Sequence, residues 1–163
     1  MERFVFTDLI RNVEELKALE EMKLNTPYQC VALTMLTLCN YENDEEATIK
    51  MLDELKGPAD VSNFEKQFLK ERLKNKQYKV HSFFEGANVE NGYTMNKPYT
   101  ITIYDNPYSF TQENWATLYV QSSGADHLRS LKLRRKPSTN QWFLVEIQCL
   151  SDIRLPKVLD EWA

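Results

Sequence analysis

The sequence has little of what most recognisable chemistry is built from: its 163 residues include two histidines, three cysteines, four glycines and six prolines. His81 and His127 stand far apart, and no CxxC or HExxH spacing occurs, so no metal site is expected. Gly57, Gly86, Gly92 and Gly124 are scattered singly, each where a turn is expected. A phosphate-cradling loop needs glycines close together, so P-loop and dinucleotide chemistry are disfavoured and no cofactor is expected. Cys30, Cys39 and Cys149 are odd in number and lie in apolar runs, which is not a disulfide framework and fits a reducing compartment. The longest apolar stretch, CVALTMLTLC, is about half the length a bilayer span needs. The opening MERFVFTDLIRNVEEL turns charged and periodic almost at once, unlike a secretory leader. A cytoplasmic protein with no membrane segment is the expectation.

What is present is an ordinary globular composition, 42% hydrophobic and 27% charged. A chain of this length buries roughly 70% of its unfolded surface on folding, enough for a core without disulfides or metals. We read residues 1–163 as a single domain with a helical half, 1–76, and a strand half, 77–163.

In the helical half, Leu9, Val13, Leu16 and Leu19 recur at three- and four-residue steps and predict an amphipathic helix over Asp8 to Met22. TPYQ marks the start of a second helix: Thr26 caps, Pro27 takes the first helical position, and Gln29 completes a capping box. From Cys30 to Tyr41 it is apolar nearly all round, so neighbours must cover it. A third helix is expected over Asp44 to Lys56, stopped by Gly57-Pro58. Ser62 and Glu65 then form a capping box for a fourth, which should bury Phe64, Phe68, Leu69 and Leu73 while Lys66, Lys70, Arg72 and Lys74 face solvent.

From Tyr78 the period changes to two. YKVHSFF, YTITIYD, WATLYVQS, LKLRR and WFLVEIQCL are β-branched and aromatic segments separated by turn clusters, which predicts four or five antiparallel strands. Helices followed by strands indicate an α+β fold, about four helices packed on a curved antiparallel sheet.

Candidate sites follow from this layout. In LKLRRKPSTNQWFLVE, Leu131 and Leu133 point one way and Lys132 and Arg134 the other, while Phe143, Val145 and Ile147 alternate with Trp142, Leu144 and Glu146. Lys132, Arg134, Arg135 and Trp142, with Trp162 of the tail, are the candidate interaction patch. Five of the nine basic residues after position 76 lie between Arg129 and Lys136, yet the chain carries a net charge of −4. Nucleic-acid affinity grows with the number of phosphates neutralised, so so local a patch makes nucleic acid the weaker reading. Cations on an exposed strand also guard against edge aggregation. Tyr104, Tyr108, Trp115 and Tyr119 belong to a dense aromatic run that could line a pocket between sheet and helices and orient a small ligand. Cys30, in the first turn of a helix whose dipole favours the thiolate, with His81 or His127 as a distant base, is the single weak catalytic candidate. Trp162 should pack on the domain or on a partner subunit rather than face solvent.

The segments GYTMNKPYTITIYDNPYS, WATLYVQSSGADHLR, KLRRKPSTNQWFL and LSDIRLPKVLDEWA, with EELKAL, TPYQCVALTMLTLC and MLDELKGP in the helical half, resemble those of an uncharacterised bacterial family typical of Firmicutes, a domain of unknown function. The resemblance spans essentially the whole chain and is most specific at KLRRKPSTNQWF. The family's tails look like NPWA or DPWA, and a second Trp follows WFL. This chain has DEWA and Val145. The resemblance implies no activity, catalytic residue or cofactor. The sequence therefore reads as a non-enzymatic module that binds a protein partner, itself or a small ligand. A nucleic-acid binder using the 129–136 hairpin and, last, a Cys30 hydrolase are the alternatives.

Overall fold

The computed structural model describes residues 1–163 and bears out a mixed α+β fold. Its central element is α2, Pro27–Leu38. The Thr26 hydroxyl accepts from the Gln29 amide at 3.2 Å, and the Gln29 side chain accepts from the amides of Thr26 and Asn25, so the capping box read from TPYQ is present. Every residue from Cys30 to Leu38 is buried. This helix lies against the inner face of the sheet and against α3, Glu45–Lys56, which explains why it is apolar all round. Asp44 caps α3, and Gly57, at φ +74°, ends it under the ring of Phe143. The second capping box, Ser62 with Glu65, starts α4 (Asn63–Leu73).

Several expectations need correction, three of them outside the sheet. The first helix is only Val13–Lys17 (α1), capped by Asn12, followed by a 3-10 turn at Glu20–Lys23. Leu19 between them is extended and Leu24 is left-handed, so the chain bends twice where the periodicity suggested one continuous element. YKVHSFF is not a strand but a helical turn, α5 (Tyr78–His81), continued by further turns. Buried Lys79 and Val80 recur four residues on as Phe83 and Phe84, with Ser82 also buried, a helical rather than an alternating spacing. Phe64, expected in the core, is 82% exposed.

The sheet has five strands: β1 Glu2–Phe6, β2 Tyr99–Tyr104, β3 Trp115–Val120, β4 Arg129–Lys136 and β5 Gln141–Gln148. They pair antiparallel in the order β1-β2-β3-β4-β5, an open and uncurled meander rather than the curved sheet expected. The N-terminal strand is the element the sequence reading lacked. Phe4 and Phe6 point inward opposite Ile101 and Tyr99, an alternation hidden in RFVF by the helical period that follows it.

The β4–β5 pairing shifts between Lys132 and Leu133. Lys132 faces Glu146 and Leu133 faces Leu144, so Val145 is the extra residue of a bulge. The bulge changes the phase of β5, and the strict alternation expected for WFLVEI is broken. Ile147 and Leu144, three residues apart, both turn toward the core, opposite Leu131 and Leu133. The Lys56 ammonium donates to the freed Val145 carbonyl at 3.2 Å, and the Trp142 amide donates to the Leu24 carbonyl at 2.9 Å. Both contacts cover part of the outer edge of β5, the protection a sheet edge needs. No helix is long and apolar enough to cross a membrane.

Candidate functional site: the open face of the sheet

Only the inner face of the sheet is covered by helices, α2 across β2 to β5 and α3 at β5. Strand alternation turns every second residue to the opposite face, which carries no helical layer. The register sets out its rows. Tyr104 lies beside Tyr119, which lies beside Ser130 and then Gln148; Thr117 lies beside Lys132 and then Glu146; Trp115 lies beside Arg134 and then Phe143. Lys132 and Arg134 are exposed, and the aromatic rings of these rows are half-buried.

Arg134 reaches back over the indole of Trp115, its guanidinium carbon 5.0 Å from the ring centroid. This cation–π contact fixes the cation on a flat apolar base and leaves its outer N–H groups free for a ligand. The β2–β3 loop rises beside it: the Thr117 amide donates to the Ser109 carbonyl at 3.0 Å, closing β3 where β2 does not pair. Between loop and strands lies a depression of about 260 Å³, lined by Tyr108, Ser109, Gln112, Trp115, Thr117 and Lys132. It combines one cation, several hydroxyl and amide groups and two aromatic rings. Such a set can hold an acidic or amide-rich segment but offers no acid–base pair for catalysis.

Four of the aromatic and two of the basic candidates therefore share one surface. Tyr104, Trp115 and Tyr119 lie on the open face rather than in a pocket beneath the helices, and Tyr108 stands 76% exposed on the loop. The other candidates go elsewhere. Arg135 pairs with Trp142 toward the helical side and is held by Asn114 Oδ1 at 3.0 Å and Asn140 Oδ1 at 3.2 Å, so it pins two turns. Trp142 meets the ring of Phe110 edge-on, their centroids 6.4 Å apart. Trp162 is 94% exposed and packs nowhere on its own domain. Thr117, missed in the sequence, joins the open face, whereas Phe143 pairs with Arg134 but lays its ring on Gly57 at the end of α3.

Cys30 is fully buried, its Sγ against the Leu55 carbonyl at 3.9 Å, and desolvation pushes its thiol up to about 12. Burial raises Cys39 and Cys149 in the same direction. A nucleophilic cysteine needs the opposite shift, and the helix dipole is outweighed by the loss of water. We expect all three thiols to react with iodoacetamide at about pH 8 at similarly slow rates, accelerating together once urea unfolds the chain. Fast labelling of Cys30 alone in the native state would reopen the hydrolase reading. His81 is half-buried and its pKa is lowered by desolvation, as for a packed imidazole. No group of three or more His, Cys, Asp or Glu side chains converges in metal-binding geometry.

No match exists among curated proteins or among solved structures. A family model does match, over residues 8–157, which takes in all four C-terminal strands and every helix: the chain belongs to the family described as a domain of unknown function (DUF6935).

Proposed function

We propose that this domain is a non-enzymatic interaction module that presents the open face of its sheet to an acidic protein segment. The observation that carries the reading is the pair Trp115–Arg134, a cation seated on an aromatic ring, with Lys132 in the adjacent row and no helix over either. Interface anchors are typically aromatic residues and arginines at the centre of a patch. Soluble domains rarely leave such rings uncovered without use.

Single-stranded nucleic acid is the competing ligand for an aromatic and basic sheet face. Two features favour a protein. The guanidinium of Arg134 already occupies the π-face of Trp115 on which a base would stack. Of the other charges on this face, Lys132 stands across from Glu146, and Arg3 is paired with Glu85 at 3.1 Å, which leaves few cations for phosphates. Three buried, unpaired cysteines and the family resemblance support a bacterial cytoplasmic setting.

Selection of displayed peptides against the intact chain tests the reading. Acidic sequences should be enriched, and Lys132→Glu with Arg134→Glu should weaken their binding by about tenfold or more. Enrichment of peptides that bind those variants equally well would overturn it. Tight, steeply salt-dependent binding of an oligothymidylate would reassign the face to nucleic acid.

A further inference from the structure

A second surface, remote in character from the open face, is an apolar groove of about 260 Å³ between α3, α4 and the end of β5. Leu52, Val61, Phe64, Phe68, Leu144 and Ile147 line it. Its interior polar groups are satisfied: Lys56, whose side chain is only 10% exposed, is held by Glu65 and by the Val145 carbonyl. Phe64 stands on the rim, 82% exposed. One end of the groove is basic. Arg72 sits over the Phe68 ring at 5.1 Å, and Lys79, beneath the same end, donates to the Leu150 carbonyl at 3.1 Å. Burial first, and then the neighbouring Lys76 and Arg72, hold the Lys79 pKa down against the opposing pull of Asp152. None of Lys66, Lys70, Arg72, Lys74, Lys76 or Lys79 forms an ion pair with any acid. Glu146 is the one unpaired acid on the rim.

The C-terminal segment has the complementary character. Its start is anchored, the Lys157 amide donating to the Val89 carbonyl at 3.0 Å and the ammonium pairing with Glu90 at 3.1 Å. Beyond that anchor Val158 is 84%, Leu159 57% and Trp162 94% exposed. Between the apolar side chains lie Asp160 and Glu161, neither of which pairs with a cation, and residues 158–163 include no basic residue. One chain thus carries an uncovered apolar groove with a basic end and an uncovered apolar segment with an acidic centre.

We propose that the groove receives residues 158–162 of a second copy of this chain, with Trp162 against Phe64 and Phe68 and the two acids beside Arg72 and Lys76. Reciprocal exchange makes the contact self-complementary, so it closes as a two-fold dimer. Each arm is a short segment, which places the assembly among small interfaces with micromolar dissociation constants. The groove shares Glu146 with the open sheet face, but neither Lys132 nor Arg134 lines it, so this inference does not depend on the proposed function.

Sedimentation of the intact chain from about 5 to 500 µM tests it. We expect a monomer–dimer equilibrium within that range. Trp162→Ala and Phe64→Ala both remove exposed side chains and leave the domain folded, and each should weaken dimerisation by about tenfold or more. Asp160→Lys with Glu161→Lys should do the same, and mixing that variant with Arg72→Glu/Lys76→Glu should restore association between the two. Arg134→Glu should leave the equilibrium unchanged, which separates this surface from the open face. A chain that stays monomeric throughout, or a dimer indifferent to Trp162→Ala and Phe64→Ala, overturns the proposal.

Discussion

Gly124→Ala is expected to lower stability by about 3 kcal/mol, the sum of overpacking and a lost buried hydrogen bond. A Cβ at this position would lie 2.1 Å from the hydroxyl of Tyr93 and 2.9 Å from Cγ2 of Ile153. Neither neighbour can yield easily. Tyr93 is fully buried, stacks on Tyr78 with ring centroids 5.6 Å apart, and donates its hydroxyl to the Arg154 carbonyl at 2.6 Å. The Arg154 amide in turn donates to the Gly124 carbonyl at 2.9 Å, so a methyl group here separates the segment after β5 from the loop after β3. Urea unfolding should show the midpoint falling by roughly 1 to 2 M, given the steepness usual for a domain of this size. Gly92→Ala is the control: its φ is +67° with nothing within 4 Å of the new Cβ, so only about 1 kcal/mol of backbone strain is at issue. Equal losses at both positions would show that close packing at Gly124 is not what the glycine provides.

Leu36→Ala should have an equal or larger effect, about 3 to 4 kcal/mol, because it opens a cavity in the most enclosed helix of the fold. Leu36 is fully buried in α2, between the inner face of the sheet and α3, where neither layer can collapse without disturbing the other. Total stability for a domain of this size is roughly 8 to 16 kcal/mol, so one substitution removes a large share. Phe64→Ala, in contrast, should change the stability of the monomer by no more than about 0.5 kcal/mol, since its ring is almost wholly in solvent. Thermal unfolding at low protein concentration measures both. A large loss for Phe64→Ala under those conditions would mean that the first turn of α4 packs into the core.

The two phenylalanines of α4 show where sequence patterning stops being sufficient. Phe64 and Phe68 both fit the apolar stripe of an amphipathic helix, yet only Phe68 lies against the core. Periodicity identifies a face but not how far along it the neighbouring elements reach. The same limit applies to β5. Alternation put Phe143 and Ile147 in the same phase, and a single bulged residue, Val145, put them out of phase. A bulge depends on the partner strand and on Lys56 reaching the freed carbonyl, both remote in sequence.

The candidate site was legible in its chemistry and not in its arrangement. Lys132 and Arg134 were placed together by strand alternation alone, a local rule. Their association with Trp115 requires β3 and β4 to pair in one particular register, and Arg135, adjacent in sequence, is turned away to bind Asn114 and Asn140. Trp162 could be recognised as a residue that ought to be covered. Its own domain leaves it bare.

By itself the sequence determined the α+β class, the starts of α2, α3 and α4, the stop at Gly57, four of the five strands and the core character of the cysteines. All of these rest on interactions within a few residues, where capping, turn chemistry and side-chain period act without help. Only the tertiary structure decided that the N-terminal strand joins the sheet beside β2, that YKVHSFF coils instead of extending, and which face of the sheet remains open. Each of those outcomes depends on pairing or burial between segments far apart in the chain, which local preference cannot specify.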